Sequence, residues 1–252
     1  MHQDFSSPAA PRNDIGHVAL GLTITPSMIS RPAVSLRDVL LVGLTFASGA
    51  IDATSFLGLG RVFTANMTGN MVLLGLAVSR VQGLEVLRSG TAFGGFILGV
   101  ALGARLLGRA LKPELWPRRV TIALAMESLL LAALALGWAL TGASPQRPWL
   151  EVLIALSAGA MGIQSIAAQR LAVPSVSTTY VTGTLTSAVA ELALLGHPTT
   201  GWPLRAGIVF ALGVGAGVNA LVLLRLPLLA PVIPLAALVL VTATARKCFP
   251  SG

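Results

Sequence analysis

Two segments of this chain place Thr, Asn and Ser around a Thr-Gly pair, at the start of an otherwise apolar stretch. The first is VFTANMTGNMVLLGLAV, which contains Thr68-Gly69, and the second is VSTTYVTGTLTSAVAELAL, which contains Thr182-Gly183. The two pairs lie 114 residues apart. Hydroxyl and amide side chains at a helix start can cap free backbone N–H groups, and the helix dipole adds positive potential there. Two such starts meeting inside a protein have the chemistry to hold a small solute.

Two acidic residues lie inside apolar stretches. Asp52 is in SGAIDATSF, just ahead of the first Thr-Gly segment, and Glu127 is in AMESLLL. A central charge in a membrane costs about 2.5–3.5 kcal/mol on insertion scales, so such acids face a partner or water and mark function. The position of Asp52 and Glu127 therefore predicts ion or proton coupling. For Asp52, a structural pair with a base such as Arg61 is the alternative.

The predicted substrate-binding site combines both Thr-Gly segments with polar residues of neighbouring apolar stretches. Its members are Asp52, Asn66, Thr68, Gly69, Asn70, Gln164, Thr182, Gly183 and Thr184. Small and hydroxyl-bearing residues also permit close helix packing, and Gln can form an interhelical hydrogen bond without any binding role. Packing is therefore the alternative interpretation of the same residues.

Catalytic and metal-binding motifs are absent from the sequence. It contains no GxSxG, Walker loop, HExxH or pair of spaced cysteines. Its single Cys, Cys248, is near the C-terminus, and its three His residues lie outside the apolar stretches. We expect no enzyme, no metal site and no cofactor. An intramembrane enzyme that uses Asp52 and Glu127 as a carboxylate pair is a weaker alternative.

The composition determines the class of protein that must position these residues. Of 252 residues, 54% are hydrophobic and 10% are charged, against about 25% charged in an average soluble domain. The mean hydropathy is +0.83. Only 5% of the residues are aromatic and the apolar runs are helix-length, which disfavours a membrane β-barrel. The sequence therefore predicts an all-α polytopic membrane protein. Because the bases that give the net charge of +8 are scattered, we expect no nucleic-acid partner.

Eight apolar segments follow one another along the chain. They cover about residues 38–59, 62–79, 91–111, 119–140, 149–169, 177–196, 204–224 and 227–245. Besides the Thr-Gly pairs, FILGVALGA (96–104) aligns with FALGVGAGV (210–218) at the same offset of 114, and Gly49-Ala50 aligns with Gly159-Ala160 at an offset of 110. We interpret these matches as two tandem repeats, residues 35–145 and 146–245.

The distribution of bases distinguishes two topologies. We favour six full transmembrane helices plus two re-entrant or half-spanning segments, which places twelve bases inside and five outside and makes the repeats inverted. The alternative is eight transmembrane helices with parallel repeats, which gives nine bases against eight. We expect residues 1–34 to be a flexible cytoplasmic tail, 35–245 a single membrane domain and 246–252 a short C-terminal tail. The predicted location is the bacterial inner membrane, multi-pass, with the N-terminus cytoplasmic.

Three stretches of the chain resemble a known family. They are ASGAIDATSFLGLGRVFTANMTGNMVLLGLA (47–77), SAGAMGIQSIAAQRL (157–171) and TTYVTGTLTSAVAEL (178–192). Together they are similar to the YoaK-like bacterial membrane proteins of unknown function (DUF1275), over about residues 36–245. The resemblance implies a six-span membrane protein and brings no substrate. Where the family pattern has Gln-Asn, this chain has Gln164-Ser165.

The duplicated polar segments and Asp52 favour a secondary transporter or channel-like permease for a small solute. A non-transporting membrane scaffold or assembly partner is the alternative, with the small residues serving helix packing. The expected partners are the lipid bilayer, an unidentified small molecule or ion, and a second copy of the chain, since Gly-rich surfaces suit a homodimer.

Overall fold

The eight apolar segments form eight helices in a computed structural model that describes residues 35–79, 85–109, 115–171, 177–179, 181–199 and 201–249. The helices are α1 (Leu36–Gly58), α2 (Met67–Val78), α3 (Val86–Leu107), α4 (Arg118–Leu140), α5 (Trp149–Arg170), α6 (Thr182–Leu195), α7 (Trp202–Arg225) and α8 (Val232–Cys248). A short 3₁₀ turn, Pro227–Leu229, precedes α8. The predicted N-terminal tail, residues 1–34, lies outside the described residues.

Helix length divides these elements into two groups. Six segments of the described chain are long and apolar enough to cross a membrane: α1, α3, α4, α5, α7 and the stretch Pro227–Cys248. Helices α2 and α6 have 12 and 14 residues. At 1.5 Å per residue they reach roughly 18–21 Å, short of a hydrocarbon core of about 30 Å. The predicted fold class, an all-α polytopic membrane protein with six full spans and two shorter segments, is confirmed.

Two pairs of long helices pack most extensively, α1 with α7 and α3 with α5. Glycines bring these backbones together. A Cβ atom at Gly215 would lie 2.1 Å from the carbonyl oxygen of Phe46, and one at Gly99 would lie 2.1 Å from that of Gly159. Small residues at such positions allow the backbone contact on which helix association in membranes depends.

Interhelical contacts give the relative direction of α1 and α5. Gln164 contacts the Leu44 carbonyl, whereas Ser157 is linked through Thr64 to Ser55. Leu44 comes before Ser55 in α1, but its partner in α5 comes after Ser157. The two helices therefore run in opposite directions.

Helix α3 runs in the same direction as α5. Gly95 of α3 lies against Ala155 of α5, and Gly103 lies against Ile163, eight residues further along both helices. Helix α3 is therefore antiparallel to α1. Consistent with this, Gly60, just after α1, lies against the side chain of Arg88 at the start of α3. The connection that contains α2 thus leaves and re-enters the bundle at the same end.

Aromatic residues tie the remaining helices together at the two ends of the bundle. The Trp138 indole, near the end of α4, packs against Gly58 and donates a 2.9 Å hydrogen bond to the Pro227 carbonyl ahead of α8. At the opposite end Trp116 stacks on Phe249, with ring centroids 5.7 Å apart. The Trp138 contacts place the end of α1, the end of α4 and the start of α8 together. The stack of Trp116 on Phe249 places the start of α4 beside the end of α8.

Candidate functional site

The segment before α2 is held alongside α1 by the side chain of Asp52. Its Oδ1 accepts hydrogen bonds from the backbone N–H groups of Thr64 and Ala65, at 2.8 and 2.7 Å. These N–H groups precede α2 and have no place in its helical ladder, so the carboxylate satisfies donors that would otherwise be unpaired. No ion pair between Asp52 and Arg61 occurs among the described residues.

A chain of hydroxyl groups fixes the depth of the same segment. Thr64 Oγ1 lies 2.7 Å from Ser55 Oγ on α1 and accepts a 2.8 Å hydrogen bond from Ser157 Oγ on α5. All three residues are buried. Thr64 is thereby held between the first long helices of the two predicted repeats. Asn66 then caps α2, its side chain accepting from the Gly69 N–H at 3.2 Å.

The segment before α6 is anchored by Gln164. Its Nε2 donates to the Leu44 carbonyl at 3.2 Å, to Ser48 Oγ at 2.6 Å and to Thr178 Oγ1 at 3.3 Å. The next hydroxyl, that of Thr179, donates to Ser165 Oγ at 3.3 Å. Because Thr178 is held close to Gln164, the chain returns to the interior after α5 before α6 begins.

The starts of α2 and α6 both line one cavity of about 540 Å³. Its polar lining residues are Asp52, Asn66, Thr179 and Thr182; the others are Gly49, Ala53, Phe56, Leu57, Phe63, Val181, Leu212, Gly213, Ala216, Gly217 and Ala220. The rings of Phe56 and Phe63 stack with centroids 5.0 Å apart. A mostly apolar cavity of this volume with few polar groups is typical of small-molecule sites.

Three of the predicted site residues therefore meet at this cavity, namely Asp52, Asn66 and Thr182. Asn70 is buried and instead holds the backbone of Phe63, accepting from its N–H at 2.8 Å and donating to its carbonyl. Gly69 serves the same packing, since a Cβ there would lie 3.0 Å from the Phe63 ring.

Other predicted members are not among the residues that line the cavity. Thr68 and Gly183 are exposed on the surfaces of their helices. Thr184 is buried, and its hydroxyl has no hydrogen-bond partner among the described residues. Gln164 holds the segment before α6 by its hydrogen bond to Thr178. Glu127 is fully buried on α4, and neither carboxyl oxygen has a partner in the described part of the chain.

Sequence reasoning missed the residues that shape this site most directly. Thr64, Ser55 and Ser157 set the depth of the segment before α2. Phe56 and Phe63 form an aromatic wall of the cavity. The only sequence signal for them is their proximity to Asp52 and the Thr-Gly motif. A contact across 93 residues leaves no local pattern.

No group of three or more His, Cys, Asp or Glu side chains in the described part of the chain could hold a metal ion.

Comparison with known proteins identifies the family. The family model described as "Protein of unknown function (DUF1275)" matches residues 40–245. The chain belongs to the DUF1275 family. Within it, the UPF0700 transmembrane protein YoaK of Bacillus subtilis (strain 168) is 40% identical to this chain over 161 residues, which cover 64% of the chain and 69% of the relative. No solved structure gives a significant match. The predicted YoaK-like resemblance is confirmed, and this DUF1275 chain is a multi-pass membrane protein.

Proposed function

We propose that this DUF1275 protein is a secondary transporter or channel-like permease for a small solute in the bacterial inner membrane. The observation that carries the proposal is that two half-length helices, α2 and α6, begin at the cavity that Asp52 also lines. Discontinuous helices that start at a shared interior site are how many transporters bind their solutes. Irregular backbone at that depth is tolerated only where protein or water surrounds it. Asp52 is the proposed coupling residue, with Glu127 as a second candidate.

Inverted repeats are part of the proposal, and related contacts in the two halves support them. Gly49 of α1 lies against α7 and Gly162 of α5 lies against α3, and these two glycines are 113 residues apart. Gly99 and Gly215, each against the partner helix of its pair, are 116 residues apart. The sequence offsets of 114 and 110 pair Gly99 with Gly213 and Gly49 with Gly159, so the packed glycines of the two halves correspond only to within two or three residues. The opposite directions of α1 and α5 favour inverted over parallel repeats.

The charges at the two ends of the bundle support a cytoplasmic N-terminus. The end at which α1 begins carries, among the described residues, Arg37, Arg105, Arg109, Arg118, Arg119, Arg170, Arg205, Arg246 and Lys247, and the other end carries Arg61, Arg88, Arg147 and Arg225. Basic residues accumulate on the cytoplasmic side of inner-membrane proteins. The end with nine bases is therefore the proposed cytoplasmic face.

The transport proposal is tested in proteoliposomes with a panel of radiolabelled cations, anions and zwitterions. Asp52→Asn and Thr182→Val change residues that line the cavity, and we expect each to lower uptake of the transported solute about tenfold or more, as loss of a buried polar contact does. Thr186→Val is the matched control, because Thr186 is exposed one turn later on α6 and does not line the cavity. Uptake that Asp52→Asn and Thr182→Val leave at the level of Thr186→Val would contradict the proposal.

The scaffold alternative predicts a different result. Blue-native electrophoresis would then show a stable hetero-complex that neither Asp52→Asn nor Thr182→Val disturbs. The glycine-rich helix surfaces that suggested a scaffold pack within this chain, between α1 and α7 and between α3 and α5. They therefore explain the packing of the monomer and give no support for a partner.

A further inference from the structure

The charge in the cavity is a single carboxylate. Asp52 is the only charged side chain among the described residues that line it. Two backbone N–H groups, from Thr64 and Ala65, hold Oδ1 and so fix the orientation of the carboxylate at the cavity wall. A lone acid in an apolar, partly enclosed space favours a ligand that carries a compensating positive charge.

The aromatic side chains that line the cavity also favour a positively charged ligand. Phe56 and Phe63 stack at 5.0 Å and both line the cavity beside Asp52. The face of an aromatic ring carries negative potential and attracts Lys-like or quaternary ammonium groups. The remaining lining, including Leu57, Leu212 and Ala216, offers contact for hydrocarbon.

The neighbouring charges limit the ligand to one positive charge. Arg61 and Arg88 line an adjoining cavity that shares Phe56 and Leu57 with the first. Arg88 is paired with Glu85 at 2.9 Å, but no ion pair of Arg61 occurs among the described residues. Positive potential at that end opposes a second cationic group on the ligand, because like charges in a medium of low polarity repel strongly.

We infer that this cavity binds a monovalent organic cation, with its ammonium group on Asp52 and its hydrocarbon against Phe56 and Phe63. The inference rests on the proposed function and names the substrate class of the same site. It goes beyond transport of an unspecified solute, because it excludes anions and divalent metal ions as the main occupants.

Isothermal titration calorimetry on the full chain in detergent tests the inference with two probes. Benzyltrimethylammonium carries one positive charge on an aromatic body, and benzenesulfonate is a negatively charged aromatic of similar size. We expect the wild type to bind the cation and not the sulfonate. Asp52→Asn keeps a side-chain oxygen for Thr64 and Ala65 but removes the charge, and we expect it to weaken cation binding about tenfold or more.

Two further variants separate loss of charge from loss of fold. Gly213 lines the cavity, and a Cβ there would meet no atom within 4 Å, so a side chain at this position starts in open space and Gly213→Leu should obstruct the cavity and abolish cation binding. Glu151→Gln removes a negative charge on α5 outside the cavity and should bind the cation as the wild type does. If Asp52→Asn fails to fold, Gly213→Leu still decides whether the cation occupies this cavity.

Three results would overturn the inference: binding of benzenesulfonate in preference to the cation, cation binding that Asp52→Asn and Gly213→Leu leave unchanged, or no binding of benzyltrimethylammonium at all. Its failure is distinguishable from failure of the proposed function. If the cation does not bind but Asp52→Asn lowers uptake of another solute, only the substrate class is wrong. If no solute's uptake depends on Asp52 or Thr182, the transport proposal itself fails.

Discussion

Glu127 lies on the buried face of α4 between Leu124 and Leu131, and its carboxyl oxygens have no hydrogen-bond partner among the described residues. A buried polar group without a partner weakens a fold, so its replacement by an apolar group of similar size is neutral or stabilising. We therefore expect Glu127→Leu to keep or raise the Tm of the detergent-purified protein. Leu124→Ala, one turn away on the same face, should lower stability by about 2–5 kcal/mol because it leaves a cavity.

Thermal unfolding followed by intrinsic fluorescence compares these two variants directly. A fall in Tm for Glu127→Leu as large as that for Leu124→Ala would mean that the carboxyl group has a stabilising partner, such as bound water. It would then be a structural residue rather than an unpaired acid available for coupling.

The sequence predicts some side chains of the candidate site and not others. Asp52, Asn66 and Thr182 were predicted because acids and helix-capping residues beside Thr-Gly are locally recognisable, and all three line the cavity. Asn70 belongs to the same motif, but its side chain accepts a hydrogen bond from the Phe63 backbone. The direction of this side chain depends on where the segment before α2 packs. The link from Thr64 to Ser157 joins the two halves and requires the tertiary fold.

Among the helices, the contact between α3 and α5 depends on two small residues that face each other, Gly99 and Gly159. A methyl group at Gly99 would lie 2.1 Å from a backbone carbonyl, so Gly99→Ala should force the helices apart at a cost of about 1–3 kcal/mol. Gly94, on the same helix, has open space around its Cβ position. Gly94→Ala should therefore be neutral or stabilising by up to about 1 kcal/mol, the difference in helix propensity.

The measurement is the Tm of the two alanine variants in the same detergent. Equal shifts for Gly94→Ala and Gly99→Ala would show that α3 and α5 do not approach as closely as the backbone contact at Gly99 requires. A larger loss for Gly99→Ala supports the packing and shows that the glycine pattern serves the fold of the chain.

The boundaries of the short helices show what hydropathy can and cannot predict. The sequence predicts the first polar segment over residues 62–79, with Thr68-Gly69 at the start of its apolar part, and α2 begins at Met67. The start is predictable because Asn66 is a good cap. The length of extended chain before it is set by Asp52 and Ser55, which hold Thr64 at a given depth of α1. The apolar content of the segment alone carries no information about these hydrogen bonds.

For the whole molecule, the direction of the chain at each end of the bundle predicts which residues share a side of the membrane. Helix α2 returns to the end at which α1 finishes, so Ser79 and Gln146 lie on one side, and Gln169 and Cys248 lie on the other. All four are exposed. An eight-span topology would instead place Ser79, Gln146 and Cys248 together, because α2 and α6 would each cross.

Labelling with a membrane-impermeant thiol reagent on intact cells tests this prediction. The wild type reports on Cys248, its single cysteine, and Cys248→Ser is the background for Ser79→Cys, Gln146→Cys and Gln169→Cys. We expect labelling at 79 and 146 and protection at 169 and 248 until the cells are permeabilised, because the nine-base end of the bundle faces the cytoplasm. If 79, 146 and 248 were all labelled or all protected, α2 and α6 would cross the membrane. Both helices would then start at the same membrane surface, and the cavity beside Asp52 could not be an interior site where two half-length helices converge from opposite sides.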